Sequence, residues 1–222
     1  TFETREGILK HCSLKNARNL GEVGERFIKQ KQPSLEAQLV NHADEIAYNN
    51  HDIDDGYRSG VLEFNALMDV SIFKECAELV KKDYSDIDET KRIHETIRRI
   101  MHKSISDICE TSSTNLIESN PKSIGEIRTL PKLINFSEEM AQKQLELKKF
   151  LRCFLYEHER VVEMTDNAKG IVKDLFEYFL SNPSQILESY QSKSTHDVAR
   201  SIADYLAGMT DRYAIKIHKE VI

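Results

Sequence analysis

The chain has 222 residues, of which 40% are hydrophobic and 31% charged, a composition typical of a globular protein with a sizeable core. Its formal net charge of −6 argues against a surface that holds a long nucleic acid, because such binding depends on an excess of Lys and Arg. No apolar run approaches the roughly 18 residues that a membrane span requires, so we expect no membrane association.

The cysteine spacing and the amino-terminal residues indicate the cellular compartment of the protein. The four cysteines are far apart and form no CxxC pair, so we predict reduced thiols and a cytoplasmic protein. They are Cys12, Cys76, Cys109 and Cys153. The amino end has no feature of a signal peptide and begins with Thr instead of Met, so we expect further residues upstream.

Helices are predicted throughout, because the chain contains eight Gly, four Pro and no alternating β-branched runs bounded by turns. The first strong helix is predicted between residues 33 and 56, on a stripe formed by Leu35, Leu39, Val40, Ala43, Ile46 and Ala47. Four later stripes follow the same spacing: Ile93, Ile97, Ile100, Met101, Ile105, Ile108 and Cys109; Met140, Leu147, Phe150, Leu151, Phe154 and Leu155; Ala168, Ile171, Val172, Leu175 and Phe179; Val198, Ile202, Tyr205, Leu206 and Met209.

Residues that break or cap helices lie between these stripes and predict where the helices begin and end. Pro183 should end the helix before it, and Ser194 and Thr195 should cap the helix after them. Loops are predicted at residues 12–32, 117–134 and 182–194, where Gly, Pro, Asn and Ser collect. No linker is recognisable, so we predict a single bundle-like body.

The first strong helix carries the candidate chemistry. Asp44, Tyr48 and Asp52 recur every four residues along one line of it, and Val40 precedes them on that line. This row should border the buried stripe, where carboxylates are uncommon unless a metal, an arginine or a ligand pairs with them. The spacing alone leaves two interpretations open, an ordinary ion pair with a neighbouring helix or a ligand site.

Four segments carry a family resemblance, in a consistent order and with similar spacing. They are residues 4–11 (TREGILKH), 43–48 (ADEIAY), 154–161 (FLYEHERV) and 204–214 (DYLAGMTDRYA). These segments resemble the EGIxKH, metal-aspartate, FLYxHxRV and DYIAGMTDRYA elements of the dGTP triphosphohydrolase family of the HD superfamily. The resemblance implies an all-α, multi-helix bundle of the HD-superfamily type, of which this chain would be the carboxy-terminal portion.

The same resemblance implies a division of the chain and a set of site residues. Residues 1–60 would be the end of the HD catalytic core, and residues 61–222 a carboxy-terminal helical region packed with it as one body. Asp44 matches the last aspartate of the H…HD…D metal site, and Tyr48 and Asp52 match residues that contact the sugar and phosphates of the nucleotide. Mn²⁺ or Mg²⁺ would suit such an oxygen ligand.

The histidines of that metal site are not assigned to this chain. The family's H…HD residues lie upstream of the EGIxKH element, where this chain has not yet begun. Two HD dipeptides do occur, at residues 51–52 and 196–197, but neither stands in the family's order. We therefore assign no metal-binding histidine and no catalytic residue here.

The implied function is metal-dependent hydrolysis of dGTP, and possibly of other dNTPs, to the deoxynucleoside and triphosphate. On this reading the 222 residues alone would be inactive, and the protein would form a homo-oligomer. Candidate cations for the triphosphate are Arg98, Arg99, Lys103 and Arg212, with His11 as a further candidate contact; the alternative for each is an ordinary surface position. The alternative for the whole chain is a non-catalytic helical module for nucleotide binding or oligomerisation.

Overall fold

The computed structural model describes residues 1–9, 12–186 and 198–222. These residues form twelve α-helices and no strand, which confirms the predicted all-α fold. In chain order the helices are α1 (Phe2–Ile8), α2 (Leu14–Ala17), α3 (Glu22–Ile28), α4 (Leu35–Arg58), α5 (Phe64–Leu67), α6 (Ser71–Asp83), α7 (Glu89–Ser119), α8 (Ile124–Ile127), α9 (Glu138–Leu151), α10 (Glu159–Ser181), α11 (Val198–Ala207) and α12 (Asp211–Val221). A π-helical turn (Arg152–Tyr156) follows α9, and a 3-10 turn (Pro183–Gln185) follows α10.

The chain divides into two compact units, Thr1–Leu155 and Tyr156–Ile222. The first unit contains α1 to α9 and the second contains α10 to α12. The predicted division into residues 1–60 and 61–222, and the packing of those two parts as one body, stay predictions.

The two longest helices begin where side-chain oxygens cap them. Ser34 Oγ accepts a hydrogen bond from the N–H of Ala37 at the start of α4, at 3.3 Å. Asp88 Oδ1 does the same for the N–H of Lys91 at the start of α7, at 2.9 Å. Both contacts satisfy an amide that has no partner within its own helix. At its other end α7 stops at Asn120, which adopts the left-handed conformation that ends many helices.

The core of the first unit lies between α4, α5, α6, α7 and α9, where burial of apolar surface stabilises the fold. Phe64 and Phe73 meet there edge to face, with ring centroids 5.5 Å apart. The buried members are Ile53, Leu62, Phe64, Leu67, Val70, Ile72, Phe73, Cys76, Ala77, Ile93, Ile97, Ile100, Met140, Leu147, Phe150 and Leu151.

The second unit has a smaller core of its own, formed by α10, α11 and α12 with the segment after α10. Its buried members are Leu175, Phe179, Ile186, Ile202 and Tyr205. Helix α10 ends at Ser181, two residues before Pro183, as the sequence predicts. The predicted later helix is α11, but its predicted start at Ser194 and Thr195 lies outside the described residues.

Two predicted loops are wrong in part. Residues 12–32 contain α2 and α3, and residues 117–134 contain the last turn of α7 and the whole of α8. These helices have four or seven residues, too few to show the apolar periodicity of a longer helix. Tertiary contacts stabilise such short pieces, and sequence spacing does not report those contacts.

Several predicted stripe residues are exposed. In α7, Ile105 is 47% exposed and Cys109 is also exposed, whereas Ser104 and Ser112 are buried. The two serines are tolerated inside because Ser104 Oγ accepts from Gln144 Nε2 at 2.9 Å and Ser112 Oγ accepts from a backbone N–H. The other stripe residues that lie at the surface are Leu39, Val40, Ala43, Phe154, Ala168 and Val172.

All four cysteines are free thiols, as predicted. Within the described ranges, no helix combines the length and the apolar composition that crossing a membrane would need.

Candidate functional site

Helix α4 carries the predicted row of Asp44, Tyr48 and Asp52, but it turns that row away from the core. Asp44 and Tyr48 are exposed, and Asp52 is half-buried. The expectation that the row borders a buried apolar stripe is wrong, because Leu39 and Val40 are 47% and 46% exposed.

Polar side chains occupy the buried face of α4 instead, together with Ala37, Ile46, Ile53 and Gly56. Asn49 Nδ2 donates to Gln144 Oε1 at 3.3 Å, and Asn50 Nδ2 donates to the carbonyl of Ile46 at 2.7 Å. The free-energy cost of burying an amide is small when the amide is hydrogen-bonded. These asparagines can therefore lie on the buried face, where the sequence predicted apolar side chains.

Asp44 and Tyr48 line one cleft of about 470 Å³. Lys132, from the segment before α9, and Lys148, from α9, lie on the same cleft. The full lining is Asn41, Asp44, Glu45, Tyr48, Asn49, Lys132 and Lys148. Two of the three predicted site residues are therefore brought together with two ammonium groups, whereas Asp52 is not among the lining residues.

The segment that carries Lys132 is fastened to α4 by Gln38. Gln38 is buried, and its Oε1 accepts from the backbone N–H of Leu133 at 3.0 Å and of Ile134 at 3.2 Å. Asn115 Nδ2 donates to the carbonyl of Leu133 at 3.0 Å from the other side. The backbone directly after Lys132 is thus held between α4 and α7.

His42 lies beneath the same segment and contacts Lys132. Its Nε2 is 2.8 Å from Lys132 Nζ and 3.1 Å from the carbonyl oxygen of Ile134. Burial lowers the pKa of His42, and the nearby charge of Lys132 lowers it further. Burial also lowers the pKa of Lys132.

Lys148 is held differently from Lys132. Its ammonium lies 2.7 Å from Glu45 Oε1, and its side chain is partly exposed. Glu45 follows Asp44 directly on α4, so this ion pair forms one edge of the cleft.

The cations that the sequence suggested for the triphosphate lie elsewhere. Arg98, Arg99 and Lys103 line a second cleft of about 590 Å³, beside α6 and the start of α9. Each is ion-paired: Arg98 with Glu95, Arg99 with Asp83, and Lys103 with Glu75. Arg212 lies on α12 of the second unit and is exposed, and His11 lies outside the described residues.

Sequence spacing gave no indication of Lys132 or Lys148 as site residues. Lys132 follows Pro131 in a predicted loop, and Lys148 is one of several lysines on the polar face of α9. Only the tertiary packing of these segments on α4 places both ammonium groups beside Asp44.

A complete metal site is not found in the described ranges, where no three His, Cys, Asp or Glu side chains are grouped to hold an ion. His51 of the first HD dipeptide is exposed on α4, and the dipeptide at residues 196–197 lies outside the described part. Asp44 accordingly stands as a single predicted ligand.

Comparison with known families and proteins identifies relatives. Residues 134–220 match the family model HD_assoc, described as a phosphohydrolase-associated domain. A protein of Bordetella pertussis named Deoxyguanosinetriphosphate triphosphohydrolase-like protein is 48% identical over 220 residues, which are 99% of this chain and 57% of that protein.

Proteins with the same name occur in other bacteria. Those of Thiobacillus denitrificans and Nitrosomonas europaea are 44% and 43% identical, over 100% and 99% of this chain and 59% of each relative. The chain thus spans less than two thirds of the relatives it matches. These matches confirm the predicted family: along its whole length, this chain is a homologue of the deoxyguanosinetriphosphate triphosphohydrolase-like proteins.

Proposed function

We propose that the complete protein hydrolyses dGTP, or a wider set of dNTPs, to the deoxynucleoside and triphosphate. The observation that carries the proposal is the cleft in which Asp44 and Tyr48 lie beside two lysines. Such a cleft offers a carboxylate for a cation, a phenol for hydrogen bonding, and ammonium groups for an anionic ligand. The names of the relatives support the same reaction class.

The reaction requires water to attack the α-phosphorus while negative charge gathers on the departing triphosphate. In this proposal the exposed phenol of Tyr48 donates a hydrogen bond to the sugar or a phosphate oxygen. Asp52, one turn further along α4, accepts from a sugar hydroxyl. Cations along the cleft balance the charge of the phosphates.

A divalent cation such as Mn²⁺ or Mg²⁺ is part of the proposal, with Asp44 as one of its ligands. When bound, such an ion polarises a phosphate oxygen and lowers the pKa of a coordinated water. The described residues provide one carboxylate for such an ion and not a complete ligand set. We also propose that the protein is a homo-oligomer.

The test is an assay of the complete protein for tripolyphosphate release from each dNTP, with and without Mn²⁺. Asp44→Ala should lower the turnover of dGTP at least about a hundredfold. Losing a residue that only supports a metal ligand can cost about that much, so losing the ligand itself should cost no less. Asp55→Ala is the matched control, because Asp55 is exposed on the same helix and does not line the cleft.

Two results would contradict the proposal. One is equal activity of Asp44→Ala and the unmodified protein. The other is the absence of tripolyphosphate release from any dNTP by the complete protein, which would favour a non-catalytic nucleotide-binding or oligomerisation module. The 222 residues alone should not hydrolyse dGTP, and a turnover that Asp44→Ala abolishes would show that they suffice.

A further inference from the structure

Lys132 is the cation of the cleft that lacks an ion pair within the described residues, although the charge of Glu45 acts on it from a distance. Its ammonium forms no ion pair with a carboxylate there, and its hydrogen-bonding neighbour is His42 Nε2, at 2.8 Å. The side chain is half-buried. A charged group that is partly removed from water is unfavourable unless an opposite charge meets it.

The other lysine of the cleft does not share this property. Lys148 is paired with Glu45 at 2.7 Å and is more open to solvent. Its charge is already compensated, and an anionic ligand would have to compete with Glu45 for it.

The position of Lys132 is fixed by the fold. Gln38 accepts hydrogen bonds from the backbone N–H groups of Leu133 and Ile134, and Asn135 Nδ2 donates to the carbonyl of Lys132. These contacts restrain the backbone around Lys132, so ligand binding costs less conformational entropy there.

We propose that Lys132 binds the phosphate chain of the ligand in the Asp44 cleft, and that Gln38 is the positioning residue that holds it there. The inference rests on the proposed function, because it takes the ligand to carry a chain of phosphates. An ammonium group can donate to several phosphate oxygens at once, with each hydrogen bond strengthened by the opposite charges.

The experiment is a calorimetric titration of the complete protein with inorganic tripolyphosphate in a buffer that chelates divalent metals. Lys132→Met should weaken binding at least about tenfold, the scale of a lost hydrogen bond between charged groups. Lys132→Arg keeps the charge and should retain most of the affinity. Lys149→Met is the matched control and should weaken binding less than about twofold, because Lys149 is exposed on α9 and does not line the cleft.

The positioning role has its own readout. Gln38→Leu should weaken binding, but the double variant with Lys132→Met should bind no more weakly than Lys132→Met alone. A merely structural role of Gln38 would instead add its loss to that of Lys132. Thermal melts of every variant show whether it is folded.

Three outcomes overturn the inference: no tripolyphosphate binding by the unmodified protein, equal losses at Lys132 and Lys149, or no loss at Lys132. Binding that depends on Lys132 in a protein that hydrolyses no dNTP would overturn the proposed function alone. Hydrolysis of dGTP without Lys132-dependent binding would overturn this inference alone.

Discussion

Glu6 is a charged residue of the first unit with no exposed surface. Arg128 donates two hydrogen bonds to its carboxylate, at 2.6 and 3.1 Å, and Arg26 Nε lies 3.1 Å from it. The two arginine side chains are 17% and 11% exposed. One carboxylate thus links α1, α3 and the end of α8. Because Arg128 is 122 positions away in sequence, no spacing pattern could have predicted this cluster.

Replacing Glu6 by Gln should destabilise the first unit by about 3 kcal/mol, because two partly buried guanidinium groups would lose their counter-charge. The free energy of unfolding in urea measures the effect. Glu25→Gln is the control, since Glu25 forms an exposed pair with Lys29 at 2.5 Å. Its loss should stay below about 0.5 kcal/mol, and equal losses in the two variants would contradict this account of Glu6.

At the scale of helices, the sequence predicted where the long ones lie better than which face they bury. The 24-residue helix α4 was predicted from its apolar spacing, yet its buried face holds Gln38, His42, Asn49 and Asn50. Periodicity reports hydrophobic side chains only, whereas hydrogen bonds to segments distant in sequence decide whether an amide or imidazole can be buried. Asp44 and Tyr48 were predicted correctly as neighbours because helix geometry alone determines their spacing.

Helices α2 and α3 meet at Gly24, where a Cβ atom would lie 1.9 Å from the carbonyl oxygen of Ala17. Gly24→Ala should therefore separate the two helices and cost about 2 kcal/mol or more. Gly170→Ala is the contrasting variant, because no side chain or neighbouring element among the described residues comes within 4 Å of its Cβ position on α10. It should stabilise its helix by up to about 1 kcal/mol.

Urea unfolding followed by circular dichroism compares these two glycine variants. If Gly24→Ala proves as stable as the unmodified chain, the close approach of α3 to Ala17 is not a feature of the folded protein.

At the scale of the whole molecule, the fold class and the family could be predicted because they depend on many residues at once. Helical spacing recurs along the chain, and four short segments carry the family resemblance in order. The division after Leu155 could not be predicted, because no Gly- or Pro-rich linker marks it and the backbone passes through a π-helical turn there. Lys132 and Lys148 could not be predicted as site residues either, because they lie on separate segments that only the tertiary fold brings to α4.

A crystal structure of the complete protein with Mn²⁺ and a non-hydrolysable dGTP analogue would test most directly whether Asp44 is a metal ligand. A carboxylate oxygen of Asp44 should lie at a bonding distance of about 2.0–2.2 Å from the cation, with the phosphates reaching the cleft beside Tyr48. A carboxylate of Asp44 paired with a guanidinium group, with the cation and the nucleotide bound away from α4, would contradict that role.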